Sequence, residues 1–340
     1  LARHEPHVVD ETAWALQPKD YIGLHLTGSP LSDPWSSKGI SHLLDGAPAA
    51  EALERVGWPA RVAPPTAPAW SLRGAVTQRA AKAFHVAAGT PVSVGWSDAL
   101  GGMLAAGAFG EETGFVLAGT SSIVGISTRS TASSERLLTI PTACAPLRVL
   151  YGPTQSSGAS VDWLAGLLGV EVERVLELAS APVGDAPPVF VPYLSGERAP
   201  IWRADVGGAL LGLSTRHGSS DLARAVVAGV CLSERHVLAV AEAALGQEAA
   251  TVRVAGRGVS EAPWRDARRA ALGRPLLLLD EPEVSALGAA MLGAMAAEGG
   301  DASSAERLRS GTQRVEGTAE ASGFARYRAA SEAVIRFTDS

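Results

Sequence analysis

Between Gly95 and Thr128 the chain reads GWSDALGGMLAAGAFGEETGFVLAGTSSIVGIST, and two groups in this stretch could do chemistry. The first is Asp98, an acid just beyond the apolar run Val92-Ser93-Val94 and its terminating Gly95. Sheets of the α/β class present their ligands at strand ends, so an acid there stands where a ligand would bind. The second is Gly119-Thr120-Ser121-Ser122. A Gly-Thr-Ser turn offers backbone N–H groups and hydroxyls with little steric cover, which suits a phosphate. The competing reading is structural: a buried Ala-rich helix capped by Asp98, beside an ordinary hairpin.

Both groups need elements to hold them. Ala99–Phe109 reads as a tightly packed helix and Phe115–Ile126 as two short strands joined at the Gly-Thr-Ser-Ser turn. Upstream, helices are expected at Asp10–Leu16, from Pro18 to Thr27-Gly28, at Ser36–Leu44, Ala49–Val56 and Thr77–Ala87. Pro59, Pro64, Pro65 and Pro68 mark a connector. Downstream, Val149–Gly152 is an expected strand leading to Gln155-Ser156-Ser157-Gly158. Helices follow at Ala159–Leu168 and Val172–Ala179. Val189–Val191 reads as a buried strand, 192–202 as a polar-aromatic loop and Gly208–Leu213 as strand or turn. A long helix capped by Ser219 or Ser220 runs to Leu245. Thr251–Ala255 is a strand, Gly256-Arg257-Gly258 a turn, and Ser260 caps a helix over 261–272. A strand at Leu276–Leu279 and a helix at Val284–Ala297 lead into a polar, loose stretch, 298–318, before a last helix at Phe324–Phe337. Strands alternating with helices indicate the α/β class.

Composition narrows the function. With 340 residues, about two domains are expected. Apolar residues make up 46% and charged residues 19%, enough for a sizeable core. The net charge of −6 with no basic block argues against nucleic acid as a partner. Lysine occurs only at Lys19, Lys38 and Lys82, which excludes a Walker-type Gly-Lys-Ser/Thr loop. Cys144 and Cys231 are too few for a disulfide framework or a zinc site, so a reducing, cytoplasmic setting is expected. No run of about 18 apolar residues suggests a membrane span. His4 and His7 lack companion ligands, so no metal site is expected on them.

Read in order, five stretches resemble the FGGY carbohydrate kinases, closest to the xylulose kinases. Leu16–Tyr21 with Leu26-Thr27-Gly28 is similar to the family's "LPKDYL…LTG". Ser32-Asp33 with Ser36–Asp45 is similar to "TDxSxASGxxLFD". Ala88–Val92 with Gly95–Asp98 resembles "GTPVxxGGGDxxAGxxG". Pro192–Trp202 followed by Gly207–Leu213 resembles "PYLxGERxPxWDPxARGxxxGL". Asp221–Ala225 follows at the signature spacing.

The resemblance implies an actin-like, ribonuclease-H-like ATPase fold of two lobes with a cleft between them. It implies the end of the first lobe at 1–88, a complete nucleotide-binding second lobe at 89–318, and a terminal segment, 319–340, packing back on the first lobe. The family's N-terminal "Asp-x-Gly-Thr" hairpin has no counterpart before Leu16, so the beginning of the first lobe is expected to be missing. By the same resemblance Asp98 is the catalytic base and also contacts substrate together with Ala99. Gly119, Thr120 and Ser121 form the second phosphate hairpin. Gly256, Arg257 and Gly258 match the adenosine-side "GGGA" turn, while Gly158 and Gln155 lie near the adenine. ATP and Mg²⁺ are the implied cofactors and a sugar or polyol the implied substrate. A homodimer is left open. Glu197, Arg198 and Trp202 read rather as a structural salt bridge with a packed aromatic.

Three positions depart from the family. Ala99 stands where Gln or Asn helps hold the sugar, Ala228 where the signature helix carries an acid, and Arg257 where the adenosine turn has its middle glycine. A long side chain at 257 either crowds the adenine or reaches a phosphate, and the family's glycine favours crowding. Together these departures support a second reading: a catalytically inactive or truncated homologue that serves nucleotide or sugar sensing, or protein contact.

Overall fold

The computed structural model describes residues 1–43, 47–110, 113–181, 187–300, 305–308, 311–317 and 323–340. Leu44 of the expected helix at 36–44 and Asp45 of the motif that ends there lie outside these residues, as do 301–304, 309–310 and 318 of the polar stretch and 319–322 of the terminal segment. In chain order the helices are α1 (Pro6–Glu11), α2 (Pro18–Thr27), α3 (Ala50–Arg55), α4 (Gln78–Phe84), α5 (Asp98–Ala106) and α6 (Gly158–Leu168). They continue with α7 (Val172–Ala179), α8 (Ser219–Leu245), α9 (Ala262–Leu272), α10 (Val284–Glu298), α11 (Ala305–Leu308) and α12 (Phe324–Thr338). The strands are β1 (Leu72–Ala75), β2 (Pro91–Ser93), β3 (Thr113–Ala118), β4 (Ser122–Thr128), β5 (Leu138–Ile140) and β6 (Arg148–Pro153). After them come β7 (Val189–Val191), β8 (Ala209–Leu211), β9 (Thr251–Gly256), β10 (Leu276–Asp280) and β11 (Gln313–Val315). Two compact units divide the chain. One comprises Leu1–Phe109, Thr139–Arg148 and Val284–Ser310; the other comprises Gly110–Leu138, Val149–Glu283 and Gly311–Ser340.

In the first unit α2 starts at Pro18, which needs no N–H partner there, and ends at Gly28 in the left-handed region (φ 82°). β1 and β2 pair antiparallel. Helices α5 and α10 cross at two glycines. A Cβ on Gly288 would collide with the Gly101 carbonyl, and one on Gly101 would sit 3.2 Å from the Ser285 carbonyl. The backbones therefore meet where no side chain intervenes. Two expectations fail here. The helix expected at Asp10–Leu16 lies earlier, at Pro6–Glu11, because Pro6 opens it and Gln17, before Pro18, is held extended. Residues 36–43 form turns instead of a helix. Asp33 Oδ2 accepts the N–H groups of Trp35 (3.1 Å) and Ser36 (2.9 Å), and the Ser37 hydroxyl donates to the Asp33 carbonyl (2.7 Å). Such local side-chain bonds compete with helix formation.

In the second unit the strands hydrogen-bond in the order β11-β10-β9-β3-β4-β6. β3, β9 and β10 run parallel, while β4 and β11 are antiparallel to their neighbours, so the sheet is mixed. Val116, Val124, Val252, Val254 and Leu278 bury one face against Val237, Leu238 and Ala241 of α8. A second cluster joins α6 and α7 to α8 through Leu164, Val175, Phe190 and Val226. The cap of α8 differs from expectation: Gly218 is the capping position, and Asp221 Oδ2 accepts its N–H at 2.9 Å. Glu261, not Ser260, precedes α9, because the Ser260 hydroxyl is drawn to Asp280. Within the polar stretch α11 forms, and β11 pairs with β10. Helix α12 packs on Val191, Tyr193 and Val206 and on Cys231 and Leu232, all within this unit. No described helix is long and apolar enough to cross a membrane.

Candidate active site

The second unit gathers three turns at one end of its sheet. β3 and β9 are parallel, with Leu117 opposite Ala255, so the chain leaves the sheet at Gly119 and at Arg257 side by side. Gly256 makes this possible. Its φ is 140°, and a Cβ there would strike the Ala118 carbonyl. Gly258, at φ 69°, turns the chain toward α9, and its N–H donates to Asp280 Oδ1 at 2.8 Å. The third turn is the start of α6. The N–H of Gly158 donates to the Gly119 carbonyl (3.0 Å), and those of Ser157 and Ala159 donate to the Thr120 carbonyl (2.9 and 3.2 Å). A Cβ on Gly158 would lie 3.0 Å from the Gly119 oxygen, so glycine keeps the two segments in contact. With the carbonyls of Gly119 and Thr120 engaged, the N–H groups of Gly119, Thr120 and Ser121 find no acceptor among the described residues.

These segments enclose a cavity of about 740 Å³, within the range of small-molecule sites. Gly119, Thr120, Gly158, Arg257 and Gly258 all line it, joined by Trp264 of α9, which was not foreseen from the sequence. Ser121 and Gly256 do not line it; Gly256 is buried beneath the turn. Gln155 is also set back, its N–H donating to Glu197 at 2.5 Å. Asp162, Glu173, Glu177 and Glu261 supply carboxylates to the lining.

Beneath the cavity runs a buried polar chain that no local motif signals. Glu234 of α8 pairs with Arg268 of α9 through two bonds, Nε to Oε2 at 2.9 Å and Nη2 to Oε1 at 3.1 Å. The Ser122 hydroxyl donates to Glu234 Oε1 (2.7 Å) and lies 2.9 Å from the Ser157 hydroxyl. The Arg268 guanidinium stacks 5.0 Å from the Trp264 ring. The hairpin, the start of α6 and α9 are thereby tied to one ion pair.

Asp98 and Ala99 belong to the first unit. Asp98 is the exposed first residue of α5, Ser97 is the capping position, and Asp98 Oδ1 accepts the Ala99 N–H at 2.7 Å. The strand end before it is held by buried charge. Arg73 Nη2 donates to the Val94 carbonyl (3.0 Å) and to Asp20 Oδ1 (2.7 Å). Lys19 Nζ lies 2.6 Å from Asp20 and 2.9 Å from Asp33. Two carboxylates with two cations leave no net charge, which is the condition for burying them. The Pro-Lys-Asp and Ser-Asp motifs are thus one ionic cluster, closed by Arg73.

The loop at 192–202 also departs from expectation. Glu197 makes no ion pair with Arg198. Its Oε1 accepts the main-chain N–H groups of Gln155 and Arg198 (2.8 Å for the latter), and the Arg198 guanidinium donates to the Thr154 carbonyl. Burial pushes the Glu197 carboxyl up to about 7, against the pull of those N–H groups and of the Arg198 charge. Trp202 remains 43% exposed and donates through its ring nitrogen to the Arg136 carbonyl at 2.8 Å. Among the described residues no cluster of three or more His, Cys, Asp or Glu side chains could hold a metal ion.

A sequence model of the "FGGY family of carbohydrate kinases, C-terminal domain" matches residues 114–297. The xylulose kinase of Escherichia coli (strain K12) is 30% identical over 315 residues, covering 87% of this chain and 62% of that protein. A xylulose kinase of Staphylococcus epidermidis is 27% identical over 302 residues, covering 86% of this chain and 60% of its own length. The crystal structure of xylulose kinase from Rhodospirillum rubrum superposes with a TM-score of 0.83 at 28% identity, over 100% of this chain and 71% of that one. The chain therefore spans about 60% of the length of the curated relatives it matches, and the expected α/β fold of the actin-like ATPases is the one observed. On the family model and on these relatives together, the chain belongs to the FGGY family of carbohydrate kinases.

Proposed function

We propose that this chain serves ATP-dependent phosphorylation of a sugar or polyol hydroxyl, a pentulose such as xylulose by likeness to its relatives. The observation that carries the reading is that Gly119 and Thr120, Gly158, and Arg257 with Gly258 line one cavity. A cavity of that size, with unclaimed N–H donors at one end and Trp264 among its walls, fits a nucleotide. When bound, ATP with Mg²⁺ would supply the phosphoryl group. Mg²⁺ held by nucleotide phosphates needs only one or two protein carboxylates, so a ready-made cage is not required. Asp98, exposed at the head of α5, is the proposed base. It would accept the proton of the attacking hydroxyl and orient its oxygen, and positioning is most of the catalysis in phosphoryl transfer. In this reading residues 1–88 are the end of the first lobe and 89–318 the second.

Titration calorimetry tests the nucleotide site directly. ADP is expected to bind saturably, and Gly158→Val to abolish binding, because its side chain would wedge the helix off the Gly119 carbonyl. Absence of binding at millimolar ADP would remove the reading.

A further inference from the structure

The cavity has an unusual charge balance for a site meant to hold a polyphosphate. Its lining carries the carboxylates of Asp162, Glu173, Glu177 and Glu261 and the guanidiniums of Arg257 and Arg268, with no lysine. Arg268 is 2% exposed and is committed to Glu234 by two hydrogen bonds, so its charge is already neutralised. Glu177 has a partner in Arg174 at 2.8 Å. Arg257 is the lining cation with no carboxylate partner among the described residues, and its side chain is exposed. It leaves β9 next to the point where Gly119 leaves β3, and it shares the cavity lining with Gly119 and Thr120, whose N–H groups find no acceptor among the described residues. A guanidinium and main-chain N–H donors lining one cavity suit an anion, and a planar fork suits phosphate.

Resting on the nucleotide reading above, we propose that Arg257 is a phosphate-binding residue that determines affinity in this cavity. It supplies the positive charge that lets a di- or triphosphate sit among four carboxylates. The turn N–H groups orient the phosphate, and Arg257 offsets repulsion that backbone donors alone would leave. Arg257 thus grips the phosphates and does not crowd the base.

The experiment compares adenosine, AMP and ADP binding to the full 340-residue chain and to Arg257→Ala and Arg257→Lys, at two salt concentrations. Arg257 is exposed and has no carboxylate partner among the described residues, so both variants are expected to melt as the parent does. ADP affinity should fall about 10-fold or more in Arg257→Ala, in line with the loss of a hydrogen bond to a charged group. Adenosine affinity should change less than about 2-fold, Arg257→Lys should fall between, and the salt dependence of ADP binding should flatten in the alanine variant. Unchanged or tighter ADP binding in Arg257→Ala overturns the proposal in favour of crowding. Equal weakening of adenosine and ADP overturns it in favour of a base contact. If the parent binds none of the three, the nucleotide reading itself fails and this proposal falls with it.

Discussion

A carboxylate at the first position of a helix can serve the helix, the substrate, or both, and Asp98 is the proposed case of both. Its Oδ1 takes the Ala99 N–H, while the side chain as a whole remains exposed. Asparagine distinguishes the roles, because it keeps the shape and caps about as well but accepts no proton. In a fusion that supplies the first lobe of a family relative, Asp98→Asn is expected to lower kcat for sugar phosphorylation by about 10²–10⁴-fold. ADP affinity should stay the same, since the Gly119–Ser121 turn is untouched. A steady-state comparison over pentuloses and polyols checks this, and a variant within a factor of a few of its parent would exclude Asp98 as base. The same residue shows what was legible. Its place after the Val92 strand could be read from the apolar run and Gly95. That the Val94 carbonyl is fixed by Arg73 and Lys19 could not, because residue 73 is separated from Asp20 by 53 positions and from Val94 by 21.

At the scale of elements, α5 depends on a crossing that tolerates no side chain. Gly288→Val puts branched carbon into the Gly101 backbone, and overpacking of this kind costs about 1–3 kcal/mol or more. Gly293, on the same helix, faces open space, so Gly293→Ala should be neutral or stabilise by about 0.5–1 kcal/mol. Thermal melts of the two variants should therefore move in opposite directions or differ clearly; equal shifts would mean that α10 does not pack as described. Glycines of this kind were visible in the sequence only as an Ala/Gly-rich helix, with no hint of which neighbour demanded them. The hairpin, the Gly256–Gly258 turn and the span of α8 were legible because period, cap and turn chemistry are local signals. The turns at 36–43 were not, because Asp33 and Ser37 diverted backbone donors and acceptors that a helix needed. Nor was the chain from Ser157 through Ser122 and Glu234 to Arg268, whose members lie 34 to 112 positions apart along its bonds.

For the molecule as a whole, two buried groups in the second unit set opposing pH limits. Glu197 has its carboxyl raised from 4.5 to about 7, so the folded state holds a proton that the unfolded state releases. That stability is full below pH 4.5 and is lost as pH rises through 7. His236 is buried against Phe324 and Tyr327, and burial, then the charges of Arg328 and Arg136, push it from 6.5 down to about 3. Its contribution is full above pH 6.5 and is lost as pH falls toward 3. Between pH 4.5 and 6.5 the two slopes oppose each other, so the parent's melting temperature should stay nearly level there while that of Glu197→Gln falls as pH is lowered; as pH rises from 6.5 to about 7 the parent alone should fall, and below pH 4.5 both should fall alike. Superimposable profiles would mean that Glu197 does not titrate as its burial dictates. The two compact units also share the chain unevenly: α5 ends at Ala106, yet its partner α10 begins at Val284, after nearly all of the second unit. On a ribosome adding roughly 5–20 residues per second, the glycine face of α5 is made roughly 10–40 s before the helix that covers it. Until then a nascent chain carries an Ala- and Gly-rich helix with nothing to bury it, and that interval is when a chaperone would have most to hold.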